Sequence, residues 1–230
     1  WRTGRSRWPL DELPLDDRVP AMLAALSEPN ARTDLQKTFD RQFANQGEEL
    51  HSAATSLGLF GVEYIRKEGE YSDAERQHYM QTVSALARWG STAPLQDPRR
   101  ARTAIAVLSS AAAKTELKTP DDYARLGMDA SLERLGPFLA ASKQAFAIYG
   151  LNLDATFDSV DAALVQQTGD TARVRVRYLL AEDEIDTILQ VRRVDGRWYL
   201  DDYLRNAEAS LDGATAPSAA ASSAPAARSP

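Results

Sequence analysis

Carboxylates are the groups in this chain most ready to do chemistry, and they are densest at Glu182, Asp183, Glu184 and Asp186. Calcium is bound by oxygen ligands of this kind. These four residues lack the spacing of a calcium-binding loop, however, and they lie in a predicted hairpin loop, where acidic residues are ordinary. We therefore expect no metal site here.

Other catalytic groups are scarce. The chain has no cysteine, which excludes disulfides, thiol catalysis and thiolate metal sites. His51 and His78 are its only histidines, which leaves little material for a histidine zinc site or a serine–histidine–aspartate triad. The sequence also lacks glycine-rich phosphate loops and the zinc-protease and serine-hydrolase motifs. We expect no catalytic residue and no cofactor. The alternative is an enzyme that uses Asp158, Asp161 or Asp202.

Arginines recur at every second position in one segment. Arg173, Arg175 and Arg177 alternate with apolar residues, a period typical of a half-buried antiparallel strand. Residues 185–192 alternate in the same way, and residues 158–168 should supply a further strand. The pattern predicts a C-terminal antiparallel meander of about four strands.

Turn signals fix the expected register of these strands. The two-residue turn Asp195-Gly196 predicts that Val194 pairs with Arg197, Arg192 with Tyr199, and Val191 with Leu200. A four-residue loop, 181–184, predicts that Leu180 pairs with Ile185. Both turns place the same apolar residues on one face, expected to pack on helices: Val174, Val176, Tyr178, Leu189, Val191, Trp198 and Leu200.

The opposite face of this predicted sheet is rich in arginine and tyrosine. Like charges directly opposite one another are unfavourable, but a carboxylate and aromatic rings can relieve them. We predict that this face binds a partner protein or an anion, the alternative being an ordinary solvated face. Its predicted members are Arg173, Arg175, Arg177, Arg192, Tyr199, Asp201 and Tyr203.

A second candidate site is a pocket at the open end of the sheet, which would bind a small ligand. Four aromatic residues could line it: Tyr149, Phe157, Tyr178 and Trp198. The simpler interpretation is that these four are core aromatics.

Residues 19–150 have the 3.6-residue period of helices. Three helix starts are signalled, by a capping box over residues 72–75, by Asp97-Pro98 and by Thr119-Pro120. We expect interruptions at residues 57–61, at Gly90 and near Gly127, and a kink or a break at Gly136-Pro137.

The two ends of the chain differ from its middle. Residues 1–18 contain prolines and no periodic pattern, which predicts an extended leader and linker. Residues 213–230 are almost entirely Ala, Ser and Pro, a composition that predicts disorder. Between these ends we expect a helical region over 19–96 and helices plus an antiparallel sheet over 97–212, making an α+β fold whose helical N-terminal two-thirds pack on the meander.

This order of elements, with Val194-Asp195-Gly196-Arg197-Trp198-Tyr199-Leu200 near its end, resembles the nuclear-transport-factor-like, cystatin-like α+β proteins of bacterial envelopes over about residues 98–206. The resemblance implies a sheet wrapped on helices, often with a pocket at its open end. It implies no activity, because that fold serves enzymes, ligand binders and assembly domains alike. Residues 19–96 have no counterpart in the minimal pattern of this family. They would form either an added helical layer or a separate subdomain.

The composition and net charge of the chain limit the kinds of partner that it is expected to bind. The 230 residues are 43% hydrophobic and 26% charged, as in an ordinary globular protein, and the net charge of −6 argues against nucleic acid as a partner.

Residues 1–8 hold two tryptophans and three arginines, like a segment that flanks a bilayer, and the chain begins at Trp1 rather than at methionine. We expect a removed signal peptide or an anchor outside the given chain, and a periplasmic domain. A cytoplasmic address is the alternative. The expected partner is another protein, and the expected role is non-catalytic binding or assembly, for which an inhibitor or immunity protein is one example. No oligomeric state is predicted.

Overall fold

The computed structural model describes the backbone of residues 15–67 and 71–215, and the side chains of this range from residue 18 to residue 208. Eight helices and four strands lie within it, in this order: α1 Leu15–Leu26, α2 Ala31–Gln42, α3 Gly47–Lys67, α4 Asp73–Thr92, α5 Pro98–Thr115, α6 Pro120–Ile148, α7 Leu153–Asp158, β1 Asp161–Thr168, β2 Thr171–Leu180, β3 Asp183–Val194, β4 Arg197–Leu200 and α8 Asp201–Thr215. The predicted α+β class, with helices before a four-stranded antiparallel sheet, is confirmed.

The chain divides into two compact units. The helical unit comprises the helices up to Val160 together with Arg177–Ile185, the end of the β2–β3 hairpin. The sheet unit comprises Asp161–Val176 and the chain from Asp186 onward.

Two clusters of buried side chains form the core of the helical unit. The first joins α1, α5 and α6 through Leu23, Ala112 and Phe138, and it includes Leu117 from the segment between α5 and α6. The second joins α4 to the hairpin end, where Leu180 and Ile185 pack with Ala85 and Leu151. The hairpin end therefore supplies core side chains to the helices.

The prediction of an extended linker up to residue 18 is wrong from Leu15 onward, because α1 begins there and contains Pro20. Pro20 and Leu23 are both buried. The tertiary packing of an amphipathic face supplies most of a helix's stability, and here it outweighs the hydrogen bond that proline cannot donate. Residues 1–14 lie outside the described part of the chain.

The interruption expected at residues 57–61 is also wrong, since α3 runs through it. A methyl group on Gly58 would lie 2.2 Å from Cβ of Ala87, and one on Gly90 would lie 2.9 Å from Cβ of Ala54. Both glycines thus let α3 and α4 approach closely, and Gly90 lies inside α4 rather than ending it. The three predicted helix starts are confirmed.

The break expected near Gly127 is present, because Gly127 has φ 76° and ψ 174° inside α6. Glycine adopts this conformation without the steric cost that a Cβ brings. At Gly136-Pro137, where a kink or a break is predicted, there is no break, and helical backbone continues through both residues with Pro137 inside α6.

The sheet has the order β1-β2-β3-β4. The predicted β3–β4 register is confirmed, with Val191 opposite Leu200, Arg192 opposite Tyr199, and Val194 opposite Arg197. The turn between them, Asp195-Gly196, has positive φ at both residues, as a two-residue hairpin of the I′ type requires.

The β2–β3 register differs from the prediction by two residues. Only Ala181 and Glu182 separate the strands, both with positive φ, so Leu180 faces Asp183 rather than Ile185. At the other end of the hairpin the Arg193 N–H donates to the Asp170 carbonyl at 2.8 Å, which fits the same register. Because the side-chain period of a strand is two, the predicted faces survive this shift.

The last strand is shorter than predicted. β4 ends at Leu200, and Asp201 and Tyr203 belong to α8 rather than to the sheet. Asp201 and Asp202 occupy the first turn of α8, where negative charge favours a helix start. The helix continues to Thr215, three residues beyond the predicted boundary at 212, and residues 216–230 lie outside the described part of the chain.

Candidate functional site: the arginine face of the sheet unit

The predicted arginine and tyrosine residues come from four elements. Arg173 and Arg175 lie on β2, Arg192 on β3 and Tyr199 on β4, while Asp201 and Tyr203 lie in the first turn of α8. Arg177 follows on β2 but is assigned to the helical unit. We call the outer surface formed by Arg173, Arg175 and Arg192 the arginine face.

Two arginines of this face are held by carboxylates within the sheet unit. Arg175 makes a two-pronged ion pair with Asp186, with Nε 2.8 Å from Oδ1 and the second pair of atoms also in contact. Arg192 lies 3.1 Å from Asp201 and 2.9 Å from Glu208 of α8. Its Nε faces Asp201 as an ion pair without hydrogen-bond alignment. The carboxylates offset the positive charge of these two arginines, which weakens their attraction for a further anion.

Arg173 is different, since within the described part of the chain its side chain has no ion pair or hydrogen bond. It lines a shallow depression of about 190 Å³ together with two amides and two hydroxyl groups. These belong to Gln166, Thr168, Thr171 and Gln190.

The sheet register explains why these groups meet. A two-residue turn at Gly169-Asp170 places Thr168 opposite Thr171 and Gln166 opposite Arg173. The β2–β3 register places Gln190 opposite Arg173 on the other side. Our sequence interpretation named Arg173 but missed its neighbours. The Gly169-Asp170 signal could have found the residues on β1, whereas Gln190 required the correct β2–β3 register.

The depression has the chemistry of an anion site. An arginine fork offers parallel N–H donors that match the two oxygens of a carboxylate or a phosphate. Amide and hydroxyl groups beside it add donors without adding an opposing charge.

A further arginine that the sequence interpretation missed lies on the other face. Arg193 pairs with Asp170 at 2.7 Å, and its guanidinium carbon lies 5.6 Å from the ring centre of Trp198. Trp198 is 41% exposed, so it is a cation–π platform at the rim of the sheet rather than a core side chain.

The other aromatic residues of the predicted pocket lie in the helical unit. Phe157 is 66% exposed, which leaves it without the enclosure of a pocket. The Tyr178 hydroxyl lies 2.8 Å from Nε2 of His78. The Tyr149 carbonyl accepts a hydrogen bond from the Trp89 indole, and burial raises the pKa of the Tyr149 phenol, with nearby Asp97 adding to the rise.

The cavity of about 300 Å³ in the helical unit is lined by none of these aromatic residues. Its walls come from α4 and the start of β3, namely Gln77, Met80, Gln81, Ser84, Arg88, Glu184 and Ile185.

Asp183, Asp202 and His51 take part in contacts within the chain. Asp183 binds Arg88 at 2.8 Å, and His51 Nε2 lies 2.8 Å from the Ala93 carbonyl. Asp158 and Asp161 are exposed, and Asp202 accepts the Tyr203 N–H at 2.8 Å. Within residues 15–67 and 71–215, no group of three or more metal-binding side chains is arranged to hold an ion.

No protein family model, curated protein or solved structure matches this chain. In the ranges of sequence that the structure describes, every helix is too short or too polar to cross a membrane.

Proposed function

We propose that this protein is a non-catalytic binding protein, and that the depression around Arg173 receives a carboxylate of a partner protein. The proposal depends on the side chain of Arg173, which has no partner in the part of the chain that the structure describes. Of the four arginines predicted for this face, Arg175, Arg177 and Arg192 each have a partner, whereas the Arg173 side chain has none among the described residues.

The size of the depression favours a side chain over a whole small molecule. Pockets for drug-sized ligands usually enclose about 300–1,000 Å³. The depression at Arg173 holds about 190 Å³ and its lining residues are all solvent-accessible except Ala172. An aspartate or glutamate side chain, presented by a protein that covers the surrounding strands, fits this space. The cell-envelope address stays a prediction from residues 1–8.

Affinity capture from the native organism tests this proposal. The tagged full chain is compared with Arg173→Glu and with the control Arg99→Glu, which reverses an exposed arginine of the helical unit. We expect one stoichiometric protein partner with the native chain and the control, and at least a tenfold loss with Arg173→Glu, because truncating or reversing a charge in a buried pair removes more than 1.4 kcal/mol.

A partner retained equally by Arg173→Glu would overturn the role of Arg173. The absence of any protein partner, together with one-to-one binding of acetate or phosphate at Arg173, would instead indicate a small-anion binder. Nuclear magnetic resonance of the Arg173 guanidinium distinguishes these outcomes.

A further inference from the structure

The two edges of the sheet are unequal. β1 and β4 are the outer strands in the order β1-β2-β3-β4. β4 has four residues, whereas β1 has eight, and all eight are exposed. In the described part of the chain no further strand pairs with β1.

The outer side of β1 offers a row of backbone donors and acceptors. In a hairpin closed by a two-residue turn, the residues that flank the turn form a hydrogen-bonded pair, here Thr168 with Thr171. The even-numbered residues of β1 therefore bond to β2. The odd-numbered residues Ala163, Val165 and Gln167 direct their N–H and C=O groups outward.

Apart from Asp161 at its start, the side chains of β1 do not protect it against pairing. Natural proteins protect edge strands by shortness, by charges, by proline or by a bulge. β4 is short and begins with Arg197, but residues 162–168 of β1 contain neither a charge nor a proline. Leu164 and Val165, at the centre of β1, are 64% and 50% exposed.

We propose that two copies of this chain associate through their β1 edges, in antiparallel register, to form one eight-stranded sheet. A two-fold axis through Val165 places this residue opposite Val165 of the second copy, so that both exchange backbone hydrogen bonds. The same register sets Ala163 opposite Gln167 and Leu164 opposite Gln166.

The sequence of β1 is suited to a copy of itself. No charged residue of 162–168 faces another in this register, and two β-branched valines meet at the axis, a favourable cross-strand pair. A charged foreign strand would find no complementary charge along residues 162–168, so this uncharged stretch of the edge favours a second copy over such a partner.

The pairing has a geometric consequence for Arg173. Because the axis is perpendicular to the sheet, both arginine faces lie on the same side of the dimer. Three strand spacings separate the two β2 strands, which sets the two Arg173 depressions about 15 Å apart. A partner protein with two acidic side chains could then occupy both.

Sedimentation analysis of the full chain over a range of concentrations tests the dimer. The native chain is expected to show a concentration-dependent monomer–dimer equilibrium. Val165→Lys and Val165→Glu should each weaken it by roughly tenfold or more, because like charges then meet at the axis. An equimolar mixture of the two variants should restore the dimer as a heterodimer.

Val194 supplies the matched control, as an exposed valine of the same sheet away from the β1 edge. Val194→Lys and Val194→Glu should leave the dimer unchanged. Val165→Pro removes an outward N–H but no bond to β2, and it should abolish the dimer with the circular dichroism spectrum retained.

A native chain that stays monomeric at every concentration overturns the proposal, and so does a Lys–Glu mixture no more associated than either variant alone. Failure here is separable from failure of the proposed function. Arg173→Glu should leave the dimer intact, and Val165→Lys should leave the binding of a single acidic group at Arg173 intact.

Discussion

The Asp122 carboxylate binds the start of α6 at several points. It accepts hydrogen bonds from the backbone N–H groups of Lys118 and Thr119 at 3.0 Å, from the Thr119 hydroxyl at 2.9 Å and from Arg125 at 3.0 Å. These bonds favour the charged carboxylate, and they lower the pKa of Asp122 to about 2, with the Lys118 N–H bond the largest cause.

The lowered pKa of Asp122 predicts that the free energy of unfolding depends on pH. Because the folded pKa lies below the unfolded value, the stabilisation is fully present above about pH 4 and is lost as the pH falls from about 4 to about 2. Asp122→Asn should therefore lower the melting temperature at pH 7, and its difference from the native chain should shrink as the pH approaches 2.

Thermal unfolding followed by circular dichroism at several pH values measures this effect. Asp121→Asn is the control, since Asp121 accepts none of these hydrogen bonds. A constant difference between Asp122→Asn and the native chain from pH 7 to pH 2 would contradict the prediction.

Signals carried by neighbouring residues were the most predictable part of the fold. The capping box at residues 72–75 and the caps at Asp97 and Thr119 all depend on groups within four residues of one another, so the sequence displays them directly. The extra bonds that Asp122 makes belong to the same local signal.

At the scale of elements, the packing of α3 against α4 depends on Gly58. An alanine there would place its Cβ 2.2 Å from Cβ of Ala87, closer than any normal contact. Gly58→Ala should lower the free energy of unfolding by about 1–3 kcal/mol, because overpacking outweighs the gain in helix propensity.

The double variant Gly58→Ala with Ala87→Gly tests the cause. Measured by chemical denaturation, it should recover most of the lost free energy of unfolding, because the methyl group is moved from α4 to α3 and the close contact between the two Cβ atoms is removed. No recovery in the double variant would show that the cost arises elsewhere than at this contact.

Contacts between distant parts of the chain explain the errors of sequence interpretation at this scale. Gly58 was expected to interrupt a helix because glycine is a poor helix former, but its neighbour Ala87 lies 29 positions away and no local pattern shows it. The β2–β3 register failed for a related reason. The turn Ala181-Glu182 holds two left-handed residues without the Asn or Gly that usually marks such a turn.

At the scale of the whole molecule, the hairpin end belongs to the core of the helical unit. Ile185 is only 1% exposed and packs with Ala85, Leu151 and Leu180. Ile185→Ala should destabilise the protein by about 2–5 kcal/mol. Because helical residues lose packing with it, the helical circular dichroism signal should melt at a lower temperature.

Leu179→Ala is the control at the same hairpin end, since Leu179 is 50% exposed. It should change stability by no more than about 0.5 kcal/mol. Unchanged melting of the helical signal in Ile185→Ala would show that the hairpin end does not stabilise the helices.

The fold class and both faces of the sheet could be predicted from periodicity, because alternation fixes which side chains share a face whatever the exact register. The candidate site was predicted only in part. Alternation identified Arg173 as one of several arginines, but its lack of a partner among the described residues follows from where Asp186, Asp201 and Glu208 lie in three dimensions.

The two-residue turn at Ala181-Glu182 bears on how this chain can vary in length. Adding two residues to β3 beyond the turn slides the strand but returns every side chain to its own face. Adding one would send Ile185 and Thr187 to the solvent and bring Asp186 inward. Insertions and deletions in β3 beside this turn should therefore come in even numbers. An alignment of related sequences would show them as gaps of two residues.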